Sequence, residues 1–233
     1  MRTRVILLLC AALIGVTGCT GGSGTTPAAS TAQGAQQLLA KSSASMRAVT
    51  SVQFGLTVAG DLSAVPVHSA SGSLTKAGDA KGNAQISELG QLVQVDFVLV
   101  GGTFYLKGPT GGYVKLPAST AKSLFDPTAI LDPDRGIAHV LASVQNPQPQ
   151  GAETVNGVAA TKVSGKVSGA VAGALVPGIS TDVTATLWLA DDAKALPVKA
   201  EFVVPTTAGK AGATVDVTLS DYDQPVTVTA PTG

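Results

Sequence analysis

The sequence predicts an α+β fold: one antiparallel sheet with helices gathered on a single face. Three observations predict it. Polar and apolar residues alternate in two separate blocks of the chain, the pattern of strands with one buried face. A stretch with helical spacing lies between the two blocks. Short connections, several of them containing glycine, join successive strands, as the hairpins of an antiparallel sheet require.

A helix and the first block of strands begin the predicted domain. Residues 32–49 place apolar side chains at helical spacing. Residues 52–58 alternate strictly between polar and apolar side chains, which is a strong strand pattern. Gly101 and Gly102 predict a hairpin turn. The further strands of this block are predicted at 69–76, 81–88, 92–100 and 103–107.

The middle of the chain has turn and helix patterns instead. Asp126 and Asp132 each precede a proline, so we expect both to be helix N-caps with proline at the first helical position. Residues 137–144 follow helical spacing. The second β block begins near residue 150 and contains Asn156-Gly157, a two-residue hairpin turn. A short helix is predicted at 167–175, and strands at 182–189, 196–204, 213–222 and 225–229.

The first 18 residues have the organisation of a secretory signal peptide. Their apolar stretch, residues 5–16, is shorter than the roughly 20 residues that a membrane-spanning helix needs. Residues 16–19, Val-Thr-Gly-Cys, resemble the lipobox of bacterial lipoproteins, in which the peptidase cuts before a cysteine that carries diacylglycerol. We expect a signal peptide at 1–18, lipidated Cys19 with a flexible tether at 19–31, and one domain at 32–233. A secretory signal with an accidental cysteine is the alternative.

Lipid on Cys19 would hold the protein on the plasma membrane, facing the cell envelope, since two or more acyl chains anchor a protein stably. Cys10 leaves with the signal peptide and Cys19 carries lipid. The mature chain then has no thiol for catalysis, metal binding or a disulfide. Without Arg2 and Arg4 the chain has 13 basic and 15 acidic residues and no basic stripe, which argues against a nucleic-acid partner.

Catalytic patterns in the sequence are weak. Residues 73–76 and 119–122 both fit Ser-x-x-Lys, a pattern of penicillin-recognising enzymes. So short a pattern arises by chance in a chain of this composition. His68 and His139 have no surrounding triad motif, and we expect His139 to be a partly exposed helix residue. We therefore predict that the protein is not an enzyme.

Metal and cofactor patterns are weak as well. Neither histidine has a second ligand at metal spacing. Asp126, Asp132 and Asp134 have the ligand type that Ca²⁺ prefers, but their spacing differs from an EF-hand loop, and caps and turns explain them better. We predict no metal site and no cofactor.

Several motifs resemble those of the mycobacterial LppX/LprAFG lipoproteins, most closely the LprG and LprA members of that family. The most specific stretch is FDP at 125–127 followed by ILDPDRGIAHVLA at 130–142. The resemblance covers nearly the whole mature chain. Supporting pieces are SGSL at 71–74, GNA at 82–84, DFV at 96–98, NG at 156–157, SGKVS at 164–168 and ATLW at 185–188.

The resemblance implies a strongly curved antiparallel sheet, a half-barrel, whose helices pack on the concave face around an apolar cavity. It implies a carrier of lipids or lipoglycans with two or three acyl chains, which helps to move them from the plasma membrane toward the outer envelope. It also implies a major-facilitator-type exporter as a partner. Aromatic residues make up only 4% of the chain, which agrees with space for acyl chains. A sixteen-carbon chain left in water would cost roughly 13 kcal/mol.

Strand parity and the resemblance together give candidate cavity residues. By resemblance, Ala84 and Ile86 lie on a strand near the cavity entrance, and Ala84 stands where some relatives carry a larger apolar residue. For each position, an ordinary place in the core is an equal alternative. The candidate lipid-binding residues are Phe54, Leu56, Val58, Ala84, Ile86, Val95, Phe97, Leu99, Ile130, Leu131, Ile137, Val140 and Leu141.

Three functional hypotheses follow from these observations. The favoured one is a membrane-tethered lipid carrier. The second is a non-catalytic interaction module that supports a transporter or cell-wall assembly without holding lipid. The third is a hydrolase of envelope lipids, which requires a polar constellation inside the pocket that the sequence does not contain.

Overall fold

The computed structural model of the protein describes residues 27–60, 62, 67–117, 126–206 and 212–232. Within them, helices accompany one antiparallel sheet of 11 strands, which confirms the predicted class. The helices are α1 (Pro27–Ala48), a 3₁₀ helix (Pro127–Leu131), α2 (Ile137–Ser143) and α3 (Gly169–Leu175). The strands are β1 (Ser51–Gly60), β2 (Val67–Thr75), β3 (Ala80–Glu88), β4 (Gln91–Val100), β5 (Thr103–Lys107), β6 (Val114–Pro117), β7 (Gln145–Val155), β8 (Val158–Val167), β9 (Val183–Ala190), β10 (Pro197–Val204) and β11 (Ala213–Ser220).

The first and last strands join the two halves of the sheet. The strand order is β6-β5-β4-β3-β2-β1-β11-β10-β9-β8-β7, so β1 pairs with β11 and every other neighbour is consecutive in sequence. Over the described residues, β6 and β7 are free edges and the sheet does not close on itself. This arrangement agrees with an open, half-barrel sheet built from hairpins.

The strand register places apolar residues of both halves on one face. Leu56 of β1 lies opposite Ala70 of β2 and Val217 of β11. Because successive side chains alternate between faces, this pairing fixes the faces of the residues in each strand as far as the next β-bulge; bulges interrupt β2, β7 and β10. We call the face that carries Leu56 the inner face and the opposite face the outer face. The row through Leu56 also contains Ala84, Val95, Ala200, Leu187 and Val163.

A pair of glycines lets β2 and β3 approach closely on the inner face. Gly72 lies opposite Gly82. A Cβ on Gly72 would stand 2.2 Å from the Lys81 carbonyl oxygen, and one on Gly82 would stand 2.0 Å from the Ser71 carbonyl oxygen and 2.9 Å from the Phe97 ring. Only glycine fits this contact, and paired glycines of this kind let a sheet bend.

The helices pack on the inner face, as predicted. Ala35, Leu39 and Met46 of α1 are buried in the same core cluster as the inner face of the sheet. The hydroxyl of Ser43 donates to the Ala138 carbonyl at 2.7 Å, which ties α1 to α2. The 3₁₀ helix contacts β2, α2 and α3. A single core therefore lies between one face of the sheet and all of the described helices.

The second half of α1 covers one end of the sheet. Lys41 donates to the carbonyl of Asp192 in the β9–β10 turn, and Lys76 in the β2–β3 turn donates to the carbonyl of Arg47 at 2.6 Å. We call this end, where both turns lie, the closed end. We call the other end, where β1 ends and the β3–β4 turn lies, the open end.

The start of one helix and the assignment of two strands differ most from the sequence prediction. Helix α1 begins at Pro27, so the last five residues of the predicted tether are helical; proline is well tolerated in a first helical turn, and alanine favours helix. Strand β6 was not predicted. The strand predicted at 225–229 is wrong: this segment lies in a groove of the outer face, where Lys81 donates to the Thr227 carbonyl at 2.9 Å. Pro225 lacks the N–H that a sheet ladder needs.

The most specific sequence stretch forms a tight turn between the 3₁₀ helix and α2. Asp126 caps the 3₁₀ helix as predicted, accepting the Thr128 N–H at 3.1 Å. Asp132 is not the N-cap of a helix, which corrects the prediction. It is the C-cap residue of the 3₁₀ helix, and its carboxylate accepts the N–H groups of Asp134 and Arg135 within the turn. Its turn ends at Gly136, which is the N-cap of α2. The pattern of short polar residues and prolines thus encodes a turn, because a cap and an Asx-turn use the same side-chain geometry.

Gly136 has no room for a side chain. A Cβ there would stand 2.4 to 2.6 Å from three carbonyl oxygens, those of Ala129, Asp132 and Ile130. We expect Gly136→Ala to lower the free energy of unfolding by about 1–3 kcal/mol because the turn must shift. Gly34→Ala is the control: position 34 lies in α1 with no atom within 4 Å, so it should gain about 0.5–1 kcal/mol. Urea unfolding of both variants checks this, and equal effects would contradict it.

Candidate functional site

The inner face becomes less buried toward the open end. In β1, Val52 is 0% and Phe54 is 4% exposed, whereas Leu56 and Val58 are half-buried. The same gradient runs along β3 and β4, where buried Ala80 and Leu99 give way to half-buried Ile86 and Val93. Packing is therefore complete toward the closed end and incomplete at the open end.

The predicted site residues share one surface. Phe54, Ala84, Val95, Phe97 and Leu99 are buried on the inner face. Leu56, Val58 and Ile86 are the half-buried members of the set and all lie toward the open end. The helix residues Ile130, Leu131, Ile137, Val140 and Leu141 belong to the same cluster and cover the sheet from above. The structure thus brings the whole predicted set together around one apolar interior.

Burial separates these residues into two groups. Ile137, Val140 and Leu141 of α2 are 0% exposed, so their side chains are surrounded by protein atoms. Ile130 and Leu131 of the 3₁₀ helix retain 6% and 8% exposure. The α2 residues form packed core, and the surface that a guest molecule could reach begins with the half-buried residues of the strands.

Small residues form the part of the inner face below the 3₁₀ helix. Ala70 and Ala84 lie opposite each other, next to the Gly72–Gly82 pair. The ring of Phe97 covers Gly82 and stacks on Phe104 with centroids 6.0 Å apart. In this middle part, β2 and β3 therefore present only small side chains or bare backbone toward the helices, in contrast to the large side chains of β4.

Sequence reasoning missed several half-buried apolar residues of this interior. Val93 pairs with Ile86 in the β3–β4 hairpin, and Leu106 pairs with Phe97. Val171 of α3 and Val204 of β10 also pack against the core. The alternation within 92–100 contains the signal for Val93, whereas the place of Val171 depends on tertiary packing of α3.

The outer face is polar and has a small cluster of its own. Trp188, 4% exposed, lies between the ammonium groups of Lys162 and Lys199, each 4.8 Å from the ring centroid. Its indole N–H donates to Glu153 Oε2 at 2.9 Å, and this hydrogen bond lowers the pKa of the Glu153 carboxyl. Lys199 also lies 2.7 Å from Asp216 Oδ1. As predicted, Trp188 belongs to the face away from the helices.

A groove of about 220 Å³ on this outer face has several polar side chains in its lining. Its lining includes Thr57, Ser71 and Asn83, which come from three adjacent strands. Hydroxyl and amide groups in this position favour water over hydrocarbon. The outer face is therefore unsuited to acyl chains, and the inner face is the candidate site.

A charged cluster fixes the 3₁₀ helix above the site. Arg135 donates to Asp132 Oδ2 at 2.9 Å and to Asp126 Oδ2 at 3.1 Å. Burial raises the pKa of Asp132, but the hydrogen bonds from Arg135 and from the Asp134 N–H outweigh burial, so the net pKa lies below the ordinary carboxyl range. The guanidinium thus links the start and the end of the 3₁₀ helix.

The structure shows where the catalytic and metal-binding patterns of the sequence lie. Lys76 of the first Ser-x-x-Lys pattern donates to the Arg47 carbonyl, and the second pattern lies outside the described residues. His139 is half-buried on α2, as predicted. Within the described ranges, no three His, Cys, Asp or Glu side chains are arranged to hold a metal ion.

None of the helices in these ranges has the length and hydropathy to cross a bilayer. Cys19 lies outside the described residues.

The model of the LppX/LprAFG lipoprotein family matches residues 34–228, which include the helices and strands of the inner core. The chain belongs to the LppX/LprAFG lipoprotein family. This confirms the resemblance that the motifs indicated. The described part of the most specific stretch of that resemblance, 125–127 and 130–142, contains the 3₁₀ helix, the turn that follows it and most of α2.

Named relatives match almost the whole chain. LprF of Mycobacterium tuberculosis, whose name proposes diacylated glycolipid transport, is 34% identical over 98% of this chain and 92% of its own. The lipoarabinomannan carrier protein LprG of Mycolicibacterium hassiacum is 34% identical over 99% of both chains. Each name states the cargo of that relative.

Solved structures share the fold. The crystal structure of LprF from Mycobacterium bovis has a TM-score of 0.75 and 33% identity, covering 86% of this chain and 98% of that one. The crystal structure of LppX from Mycobacterium tuberculosis has a TM-score of 0.64 and 21% identity, covering 84% of this chain and 99% of that one. The second likeness supports the fold alone.

The charge cluster predicts acid sensitivity of the structure above the site. Because the pKa of Asp132 is lower folded than the ordinary value of about 3.9, its stabilising contribution is complete above about pH 4 and is lost as the pH falls through the folded pKa. We expect Asp132→Asn to be destabilised relative to wild type at pH 6, and the difference to shrink toward pH 2.5. Urea unfolding across this range measures it. Asp134→Asn, at an exposed neighbouring position, is the control, and the same pH dependence in both variants would contradict the assignment.

Proposed function

We propose that the protein is a lipid carrier of the cell envelope that holds the acyl chains of a multi-acylated lipid or lipoglycan against the inner face of its sheet. The graded burial of the inner face supports this most directly. A core that only had to stabilise the fold would gain by burying Leu56, Val58, Ile86 and Val93 fully, at about 25 cal/mol per Å². An apolar guest would complete that burial.

The ligand enters at the open end in this proposal. Acyl chains pass the half-buried residues Val58, Ile86 and Val93 and lie along the small residues Ala70 and Ala84. The polar head group remains outside, because no charged side chain of the described residues is buried. The packed α2 residues Ile137, Val140 and Leu141 support this surface from behind.

Membership of the family supports the ligand class. One matching relative is named a lipoarabinomannan carrier, and the name of another proposes transport of diacylated glycolipids. From these names we propose that this chain is lipidated at Cys19 and anchored to the plasma membrane. There it helps to move its ligand toward the outer envelope. A major-facilitator-type exporter is the proposed transfer partner.

The alternative function is a non-catalytic interaction module that supports a transporter or cell-wall assembly. The complete burial of Ile137, Val140 and Leu141 favours it, since a filled interior needs no guest. The half-buried residues Leu56, Val58 and Ile86 at the open end favour the carrier. The two hypotheses therefore differ in whether hydrocarbon reaches the inner face.

Lipid that co-purifies with the protein separates the two hypotheses. We expect native mass spectrometry of the full chain, made in a lipid-rich actinobacterial host, to show an added mass that organic extraction removes. Lipid analysis of the extract then identifies the number of acyl chains. A protein that remains empty from such a host would reject the carrier.

Ala84→Trp tests where the acyl chains lie. Ala84 is on the inner face, 5% exposed, and a Trp side chain would occupy the space proposed for hydrocarbon. We expect at least a threefold loss of bound lipid with little change in melting temperature, because the indole replaces the guest. A filled core would instead be overpacked and lose about 1–3 kcal/mol of stability.

Gln85→Trp is the matched control for this substitution. Gln85 is the next residue of β3, exposed on the outer face. We expect this variant to keep both its lipid and its melting temperature. Equal lipid loading of the two variants would contradict the placement of the ligand on the inner face.

A further inference from the structure

The β3–β4 hairpin extends past its pairing with β5 at the open end. Its last described pair with β2 is Val67–Ile86, and its pairing with β5 stops at Asp96–Lys107. The β4 strand continues for five residues beyond Asp96, which is about 17 Å at 3.4 Å per residue. The turn at Leu89-Gly90 is the tip of this extension.

The tip exposes large apolar side chains to solvent. Leu89 is 100% exposed and Leu92 is 61% exposed. Leu89 lies three residues beyond Ile86 at the tip of the hairpin, and Leu92, the neighbour of Val93, lies on the outer face by strand alternation. The tip therefore carries exposed apolar side chains at the end of the two strands that bear the half-buried pair Ile86 and Val93.

Leu89 also occupies a backbone conformation that disfavours leucine. Its φ is +50° and that of Gly90 is +80°. The β7–β8 turn has nearly the same values, +50° and +82°, but there the sequence is Asn156-Gly157, the favoured pair for this turn. Two hairpins of one protein therefore use the same turn, and only the one at the open end carries a solvent-exposed leucine. Local stability does not explain that leucine, so we look for an apolar partner outside the chain.

We propose that the β3–β4 hairpin tip docks the open end on a lipid bilayer by inserting Leu89, with Leu92 beside it. The proposal rests on the carrier function, because a carrier that anchors at Cys19 must present its open end to a membrane to load. Eight residues from Cys19 to Thr26 reach at most about 30 Å, so the bilayer is the apolar phase that lies within range. Glu88 is exposed at the tip, so the contact is hydrophobic and does not depend on anionic lipid.

Tryptophan probes test the insertion. The full chain is reconstituted with phosphatidylcholine vesicles that contain brominated acyl chains, which quench indole fluorescence on contact. We expect Leu89→Trp to be quenched at least twofold more than wild type, whose Trp188 is 4% exposed on the outer face. Val158→Trp, at an exposed apolar position beside the Asn156 turn at the closed end, should match wild type. No quenching at position 89, or equal quenching at both positions, overturns the proposal.

Leu89→Asn tests the consequence for transfer. We expect it to keep or raise the melting temperature, since asparagine tolerates the left-handed conformation, and to slow the transfer of pyrene-labelled phosphatidylinositol from vesicles at least threefold. Val158→Asn should leave the rate unchanged. An unchanged rate in Leu89→Asn contradicts docking. Quenching at position 89 in a protein that binds no labelled lipid would reject the carrier function and leave docking in place.

Discussion

The pairing of β1 with β11 is the interaction on which the rest of the structure depends. It joins two blocks of hairpins that are far apart in the chain, and it sets Leu56 opposite Val217, so that apolar residues of both blocks fall on one face. A shift of this register by one residue would turn one half of that face toward water. The helices then have one continuous apolar surface to cover.

The apolar surface is buried more completely at the closed end than at the open end. Toward the closed end the inner face is packed to 0–4% exposure at Val52 and Phe54. Toward the open end, Leu56 and Val58 remain half-buried, while the 3₁₀ helix is held above the small residues of β2 and β3 by Arg135. A protein that binds an apolar ligand needs one fully packed end and one incompletely packed end. The packed end keeps the protein folded when the ligand leaves.

Much of this arrangement could be predicted from the sequence because it depends on local patterns. The alternation in 52–58 fixed the inner face, and Asn156-Gly157 identified its hairpin. Asp132 was misassigned because a turn and a helix cap use the same carboxylate chemistry, and 225–229 was misassigned because alternation does not reveal whether a partner strand exists. The completely packed state of Ile137, Val140 and Leu141 depends on how α2 meets α1, which no single-segment pattern contains.

The central claim is that hydrocarbon completes the inner face between β2–β3 and the 3₁₀ helix. Its most direct test is a crystal structure of the full chain loaded with a lipid whose acyl chains end in bromine, with the bromine located by anomalous scattering. We expect anomalous peaks inside the core, on the side of Ala70 and Ala84 that faces Ile130. Peaks confined to the outer face or the solvent, with the inner face closed by the protein's own side chains, would contradict it.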